Sequence, residues 1–199
     1  RDRAIDYLNA QQSSEAPFFA FVSFPDPHHP FNPPGKYWEL YDPDSFEVPL
    51  PFEAHQNPIP PMQKALELYK QGATPATPQT VFIAEQRQVQ EAMALTCGMI
   101  SMIDDAVGEL IQTLKNNGQY DNTVIVFTSD HGDYLGDFNL MLKGALPFKS
   151  ITNVPFIWSD PETQQARQSN ALASTLDIAP SIIARAGLKP FWGIQGMDL

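Results

Sequence analysis

At 199 residues, 43% apolar and 18% charged, the chain is long enough for one globular core or a large piece of one, and its 13 Phe, 6 Tyr and 3 Trp exclude a disordered polypeptide. A net charge of −11, from 12 basic and 23 acidic residues, argues against a nucleic-acid partner, although a metal and a few local cations can still dominate a pocket for a small anion. The single cysteine, Cys97, excludes an internal disulfide, and no apolar run reaches the ~18–20 residues of a membrane span, so no membrane partner is expected.

Arg1 to Asn9 reads as the end of an amphipathic helix, with Ile5 and Leu8 on one face. The chain opens without Met inside this helix and stops soon after another. Both ends therefore read as cuts in a longer protein. No signal peptide is visible, and periplasmic, secreted or lysosomal and cytoplasmic locations all stay open. Phe18 to Phe24 (FFAFVSF), bounded by Pro17 and Pro25, suits a strand buried on both faces. Pro25 to Pro61 holds 11 of the 19 prolines, which excludes regular helix and central strand and predicts a long ordered surface loop. A short helix is predicted over Met62 to Gly72, and an irregular stretch over Ala73 to Gln79.

The strongest helical signal runs from Thr80 to Asn117. Val89, Met93, Thr96, Ile100, Ile103, Val107, Leu110 and Leu114 recur at three- and four-residue steps, and Gly118 fits a C-cap. Thr123 to Ser129 and Val154 to Trp158 read as further buried strands, and Ser174 to Ala186 as a helix ended by Gly187. Helices alternating with apolar strands predict an α/β fold: a mixed, largely parallel sheet flanked by helices. The three strands are expected in one sheet, with the long helix packed on it.

Chemistry concentrates in Thr128 to Lys143 (TSDHGDYLGDFNLMLK). A strand runs into Asp130 and His131, and ligands of open α/β sheets bind beyond the carboxyl ends of strands. A carboxylate oxygen and an imidazole nitrogen there can share one cation, with Asp133 and Asp137 adding negative charge nearby. Taken alone, the same residues also fit a turn cap and an ordinary loop histidine. Lys143, twelve residues beyond His131 in an apolar stretch, is either a snorkelling surface residue or a cation aimed into a pocket. In FPDPHHPF, two adjacent histidines sit on a proline-stiffened loop. One of them can be presented to a site, where it hydrogen-bonds an oxyanion or protonates a leaving group; both can equally be exposed loop residues.

Four segments, in order, resemble the sulfatase family of the alkaline phosphatase superfamily. FVSFPDPHHPFNPP resembles the segment carrying its Pro-His-x-Pro-Phe motif. GMISMIDDAVGELIQTLKNNGQYDNTVIVFTSDHGDYLGD resembles its long helix, strand and metal loop. KGALPFKSITNVPFIWSDP and STLDIAPSIIARAGLKPFWGIQGMDL resemble its later segments. The resemblance implies that residues 1–199 are part of one sulfatase catalytic domain, without the nucleophile-bearing front portion and the C-terminal subdomain. It implies Asp130 and His131 as metal ligands, His28 as the histidine that meets the sulfate or leaving oxygen, and Lys143 as the lysine on the sulfate group. His29 falls on a variable position and receives no role. The implied cofactors are a divalent metal, Ca²⁺ first with Mg²⁺ and Mn²⁺ as alternatives, and a formylglycine formed outside this chain from Cys/Ser-x-Pro-x-Arg. Cys97 lies mid-helix with no Pro or Arg in register and reads as a packing thiol, so the chain contains no nucleophile. Departures occur at Phe138, where the family commonly has His, and at Phe148 and Lys149, where Tyr-Glu is frequent.

The implied activity is hydrolysis of sulfate monoesters of a small molecule or saccharide. The alternatives are a phosphonate monoester or phosphodiester hydrolase of the same superfamily, and a degenerate binding protein of this fold. The fragment alone is expected to be inactive, and apolar sheet surface left uncovered would favour self-association.

Overall fold

In chain order the helices and strands are α1 (Asp2–Gln11), α2 (Pro60–Lys70), β1 (Phe82–Ile83), α3 (Gln86–Asn116), β2 (Ile125–Thr128), β3 (Leu140–Met141), α4 (Lys149–Thr152), β4 (Phe156–Ser159) and α5 (Ile178–Arg185). The computed structural model describes every residue except 49, 55, 74–80 and 164, and the side chain of Glu53 is likewise outside the description. The chain divides into two compact units, Arg1–Pro161 and Glu162–Leu199.

In the first unit, α3 is the axis. Its start is fixed by a capping box: Gln88 accepts the Glu85 amide at 3.0 Å while the Glu85 side chain returns the bond. Gly118, at φ +70, closes its far end. Val89 and Met99 are fully buried, each removal from water being worth roughly 1.5–3 kcal/mol. The predicted stripe is only part of the buried surface. Ile100 is half exposed, while Ala92, Ala94, Gly98 and Ala106 are buried off the stripe. The N-terminal half of α3 is covered on more than one side because the proline-rich segment lies along it.

That segment is ordered, as its proline content predicts. Three short 3-10 turns, Gly35–Tyr37, Pro43–Ser45 and Phe52–Ala54, punctuate it. Asp105 of α3 accepts from Lys36 Nζ at 2.8 Å and Tyr37 Oη at 2.6 Å. Tyr41 Oη meets Ser101 Oγ at 2.8 Å, and Gln90 donates to the Phe46 carbonyl at 2.7 Å. Two buried clusters complete the core. Phe52, Met62, Ala65, Ile83, Tyr134 and Leu140 form one; Ala84, Val89, Ala92, Met141 and Leu142 form the other.

The α/β class holds, and the sheet arrangement differs from expectation. β1 pairs with β3 and β2 with β4, both antiparallel, in two separate two-stranded ladders. The expected strands at Thr123–Ser129 and Val154–Trp158 are present and adjacent. They are neither parallel nor deeply buried: Ile157 is 59% exposed. Phe18–Phe24 joins no ladder among the described residues, with Phe21 85% exposed. An all-apolar run becomes an interior strand only when neighbours occupy its edges and faces, and a two-stranded ladder leaves open edges. The predicted irregular stretch at Ala73–Gln79 and the predicted helix start at Thr80 lie, apart from Ala73, outside the described residues. Downstream of them Phe82–Ile83 is strand, and α3 begins only at Gln86.

In the second unit, Asp177 organises the chain. Its carboxylate accepts the Ser174 amide at 2.7 Å and the Met197 amide at 2.8 Å, holding the start of α5 and the C-terminal segment together. Ser181 Oγ donates to the Asp177 carbonyl at 2.6 Å and accepts the Leu199 amide at 3.0 Å. Gly196, at φ +95, lies so close to Leu176 that a Cβ would stand 2.3 Å from its carbonyl oxygen.

Candidate active site

β2 ends at Thr128 and delivers the chain to Ser129–Asp130–His131. Asp130 Oδ1 accepts the His131 amide at 2.9 Å, and Ser129 Oγ donates to the His131 carbonyl at 2.9 Å. His131 Nδ1 lies 2.8 Å from the Gly132 carbonyl; a carbonyl only accepts, so Nδ1 donates there and Nε2 is the ring nitrogen left for a ligand. That Nε2 stands 3.5 Å from Asp130 Oδ2, a separation at which both atoms can reach one cation. Burial pushes the Asp130 carboxyl up, but the His131 amide and charge, with its own amide and Ser129, outweigh it and hold the group below the usual carboxylate range. The pair thus offers an ionised oxygen and an imidazole nitrogen side by side. Among the described residues no third His, Cys, Asp or Glu joins them as a metal-binding group. Gly132 sets the loop's position. Its amide donates to the Ile151 carbonyl at 2.8 Å, and a Cβ there would fall 1.8 Å from the Ser150 carbonyl oxygen.

From Gly132 to Lys143 the backbone is held in sparsely populated conformations. Leu135, Phe138, Asn139 and Leu142 all have positive φ, between 38° and 69°. Left-handed backbone costs a non-glycine residue roughly 1–2 kcal/mol, so surrounding bonds must enforce it. They are present: Leu135 N–H to Asp133 Oδ1 at 2.9 Å, Tyr134 N–H to the Leu142 carbonyl at 2.8 Å, Gly136 N–H to the Leu140 carbonyl at 2.9 Å, and Phe52 N–H to Asn139 Oδ1 at 2.9 Å. Lys143 emerges half-buried from this hairpin and makes no ion pair with a described residue. Burial pushes the Asp133 carboxyl up, against the opposing pull of the Leu135 amide, Lys143, the Leu142 amide and His131.

On the proline-stiffened loop, His28 is exposed and donates from Nδ1 to the His29 carbonyl at 2.6 Å. The two rings stack at 4.0 Å with a 29° tilt. His29 is half-buried, and its Nδ1 has no partner among the described residues. Burial, then the charges of His28 and Lys143, hold His29 below the usual histidine range. Phe31, two residues on, packs on the cluster containing Leu142. The structure therefore brings Asp130 to His131, puts Asp133 within electrostatic reach of both His131 and Lys143, stacks His28 on His29, and places His29 within electrostatic reach of Lys143. Cys97 is a half-buried residue of α3 whose thiol is pushed up by burial, away from the activated state a nucleophile needs.

Sequence reasoning gave His29 no role, saw Asp133 only as added charge and passed over Tyr134. Burial distinguishes all three, and burial on an irregular loop leaves no periodic trace in sequence.

Comparison with known proteins adds a second line. The sulfatase family model matches residues 1–188. The chain is 30% identical over 188 residues to the uncharacterized sulfatase YidJ of Escherichia coli (strain K12), covering 94% of this chain and 35% of that protein. It is 28% identical over 203 residues to an arylsulfatase of Clostridium perfringens, covering 100% of this chain and 40% of the relative. The phosphonate monoester hydrolase of Agrobacterium radiobacter superposes with a TM-score of 0.77 at 28% identity, over 98% of this chain and 40% of that one. The chain thus spans well under half the length of these relatives.

Proposed function

This chain belongs to the sulfatase family, and on that premise we propose that it forms the later part of one catalytic domain that hydrolyses sulfate monoesters, of a small molecule or a saccharide, in a longer polypeptide supplying the nucleophile. The observation that carries the reading is the Asp130–His131 pair at the end of β2, with an ionised oxygen and an imidazole lone pair 3.5 Å apart. The donor set fits two ligands of a divalent cation, with Ca²⁺ favoured by the carboxylate and Mg²⁺ or Mn²⁺ compatible with the imidazole. When bound, such a cation supplies Lewis-acid polarisation of a sulfuryl oxygen, and formylglycine supplies the attacking oxygen.

The chain's own residues do the rest. Lys143 faces the substrate as a fixed positive charge against the sulfuryl oxygens, where charge is concentrated as the S–O ester bond breaks. His28, with Nδ1–H engaged by the His29 carbonyl, gives its Nε2 proton to the departing ester oxygen as the S–O bond breaks, so the alcohol leaves neutral. His29, stacked on His28 and held below the usual histidine range, first by burial, supports the His28 ring. Asp130 and His131 alone provide a small part of the ~6–8 ligands that Ca²⁺ takes, so residues 1–199 by themselves should bind metal weakly and turn nothing over.

The test is turnover by the full-length protein of 4-nitrophenyl sulfate and of 4-nitrophenyl phenylphosphonate, after chelation and after return of Ca²⁺, Mg²⁺ or Mn²⁺. Metal-dependent turnover with the sulfate ester preferred is expected. The likeness to the Agrobacterium radiobacter hydrolase favours a second reading, cleavage of phosphonate monoesters, and preference for the phosphonate ester would establish it in place of the first.

A further inference from the structure

Tyr134 lies three residues past His131, is only 1% exposed, and touches the chain on both sides of Lys143. Its amide donates to the carbonyl of Leu142, immediately before Lys143, at 2.8 Å. Its Oη donates to the carbonyl of Leu146, three residues after Lys143, at 3.0 Å and accepts the amide of the same residue at 3.1 Å. Between those anchors, a Cβ built on Gly144 would stand 3.6 Å from Oη, so the backbone next to Lys143 lies against the tyrosine. Leu142 is held at φ +69, a conformation that relaxes unless something enforces it. The ring is itself fixed edge-on against Phe148, centroids 5.7 Å apart.

We infer that Tyr134 is a positioning residue for Lys143: its backbone amide holds the chain just before the lysine, its buried hydroxyl holds the chain just after it, and together they set where the lysine's ammonium group stands. The inference rests on the reading of Lys143 as the cation that meets the sulfuryl group. Burial pushes the phenol up, so Oη keeps its proton and its donor role at neutral pH. Removing the hydroxyl leaves the Leu146 N–H and carbonyl without this partner and frees the segment to shift. A displacement below an ångström is enough to weaken a charge aimed at a transition state.

The experiment is a double-mutant cycle in the full-length enzyme with 4-nitrophenyl sulfate, using Tyr134→Phe, Lys143→Ala and both together. Tyr134→Phe keeps the ring, so the melting temperature should move by only a few degrees. It should lower kcat/KM about 10-fold when Lys143 is present and less than about twofold when Lys143 is already Ala, because the two residues act as one unit. Equal losses in both backgrounds would make Tyr134 a purely structural residue and overturn the inference, as would a silent Tyr134→Phe beside an intact Lys143. A silent Lys143→Ala would be a different failure, removing the reading of Lys143 and the inference with it.

Discussion

In the proposed cation site Asp130 would supply a charged oxygen and His131 a ring nitrogen, and each is prepared by a different neighbour. The His131 amide keeps Asp130 ionised; the Gly132 carbonyl fixes the His131 tautomer. Asp130→Ala in the full-length protein should therefore abolish metal retention, measured by elemental analysis after gel filtration. Lys143→Ala should lower kcat by about 10²-fold or more, the usual cost of losing a positioned charge donor, with metal content unchanged. Cys97→Ser should leave kcat/KM within about twofold, because the half-buried thiol sits in α3 and burial pushes its pKa up. Complete loss of activity with folding intact would instead place the nucleophile at Cys97.

At the scale of the element, α3 shows how one residue type takes opposite values along a single helix. Gly98 is buried against the proline-rich segment, and a Cβ there would stand 2.3 Å from the Tyr37 carbonyl oxygen. Around Gly108 nothing lies within 4 Å of the same built atom. Helix propensity alone favours alanine at both by roughly 1 kcal/mol. Gly108→Ala should thus stabilise by up to about 1 kcal/mol, whereas Gly98→Ala should destabilise by about 1–3 kcal/mol, since backbone must move to admit the methyl group. Urea denaturation of the two variants checks the sign of each; stabilisation by Gly98→Ala would show that the proline-rich segment does not press on the helix.

At the scale of the whole molecule, the two units rest on different physics. The first has buried apolar clusters. The second has few buried apolar side chains and leans on the Asp177 carboxylate, which the Met197 and Ser174 amides hold below its ordinary value of 3.8. A carboxyl with a lowered folded-state pKa favours folding while ionised. Its contribution is therefore present above pH 3.8 and disappears as pH falls through the lower folded value. Protection factors of the Ser174 and Met197 amides should stay level from pH 7 to 5 and drop below pH 3.8, while Asp177→Asn should remove that acid-dependent step. Protection independent of pH across this range would show that the carboxylate does not hold the unit together.

The longer helices, the family and the choice of Asp130 and His131 as candidate ligands were legible in the sequence. A long period of 3.6, glycines at helix ends and an apolar strand running into Asp-His-Gly are local signals, legible because each residue's neighbours in space are also its neighbours in sequence. Only the tertiary structure decided which apolar runs become paired strands, as Phe18–Phe24 shows, because strand pairing depends on partners distant in the chain. Likewise only the fold revealed that His29 is half-buried within electrostatic reach of Lys143 and that Tyr134 bonds the chain on both sides of the lysine. Both depend on burial and on bonds across an irregular hairpin held at positive φ, where no periodicity connects residue type to position.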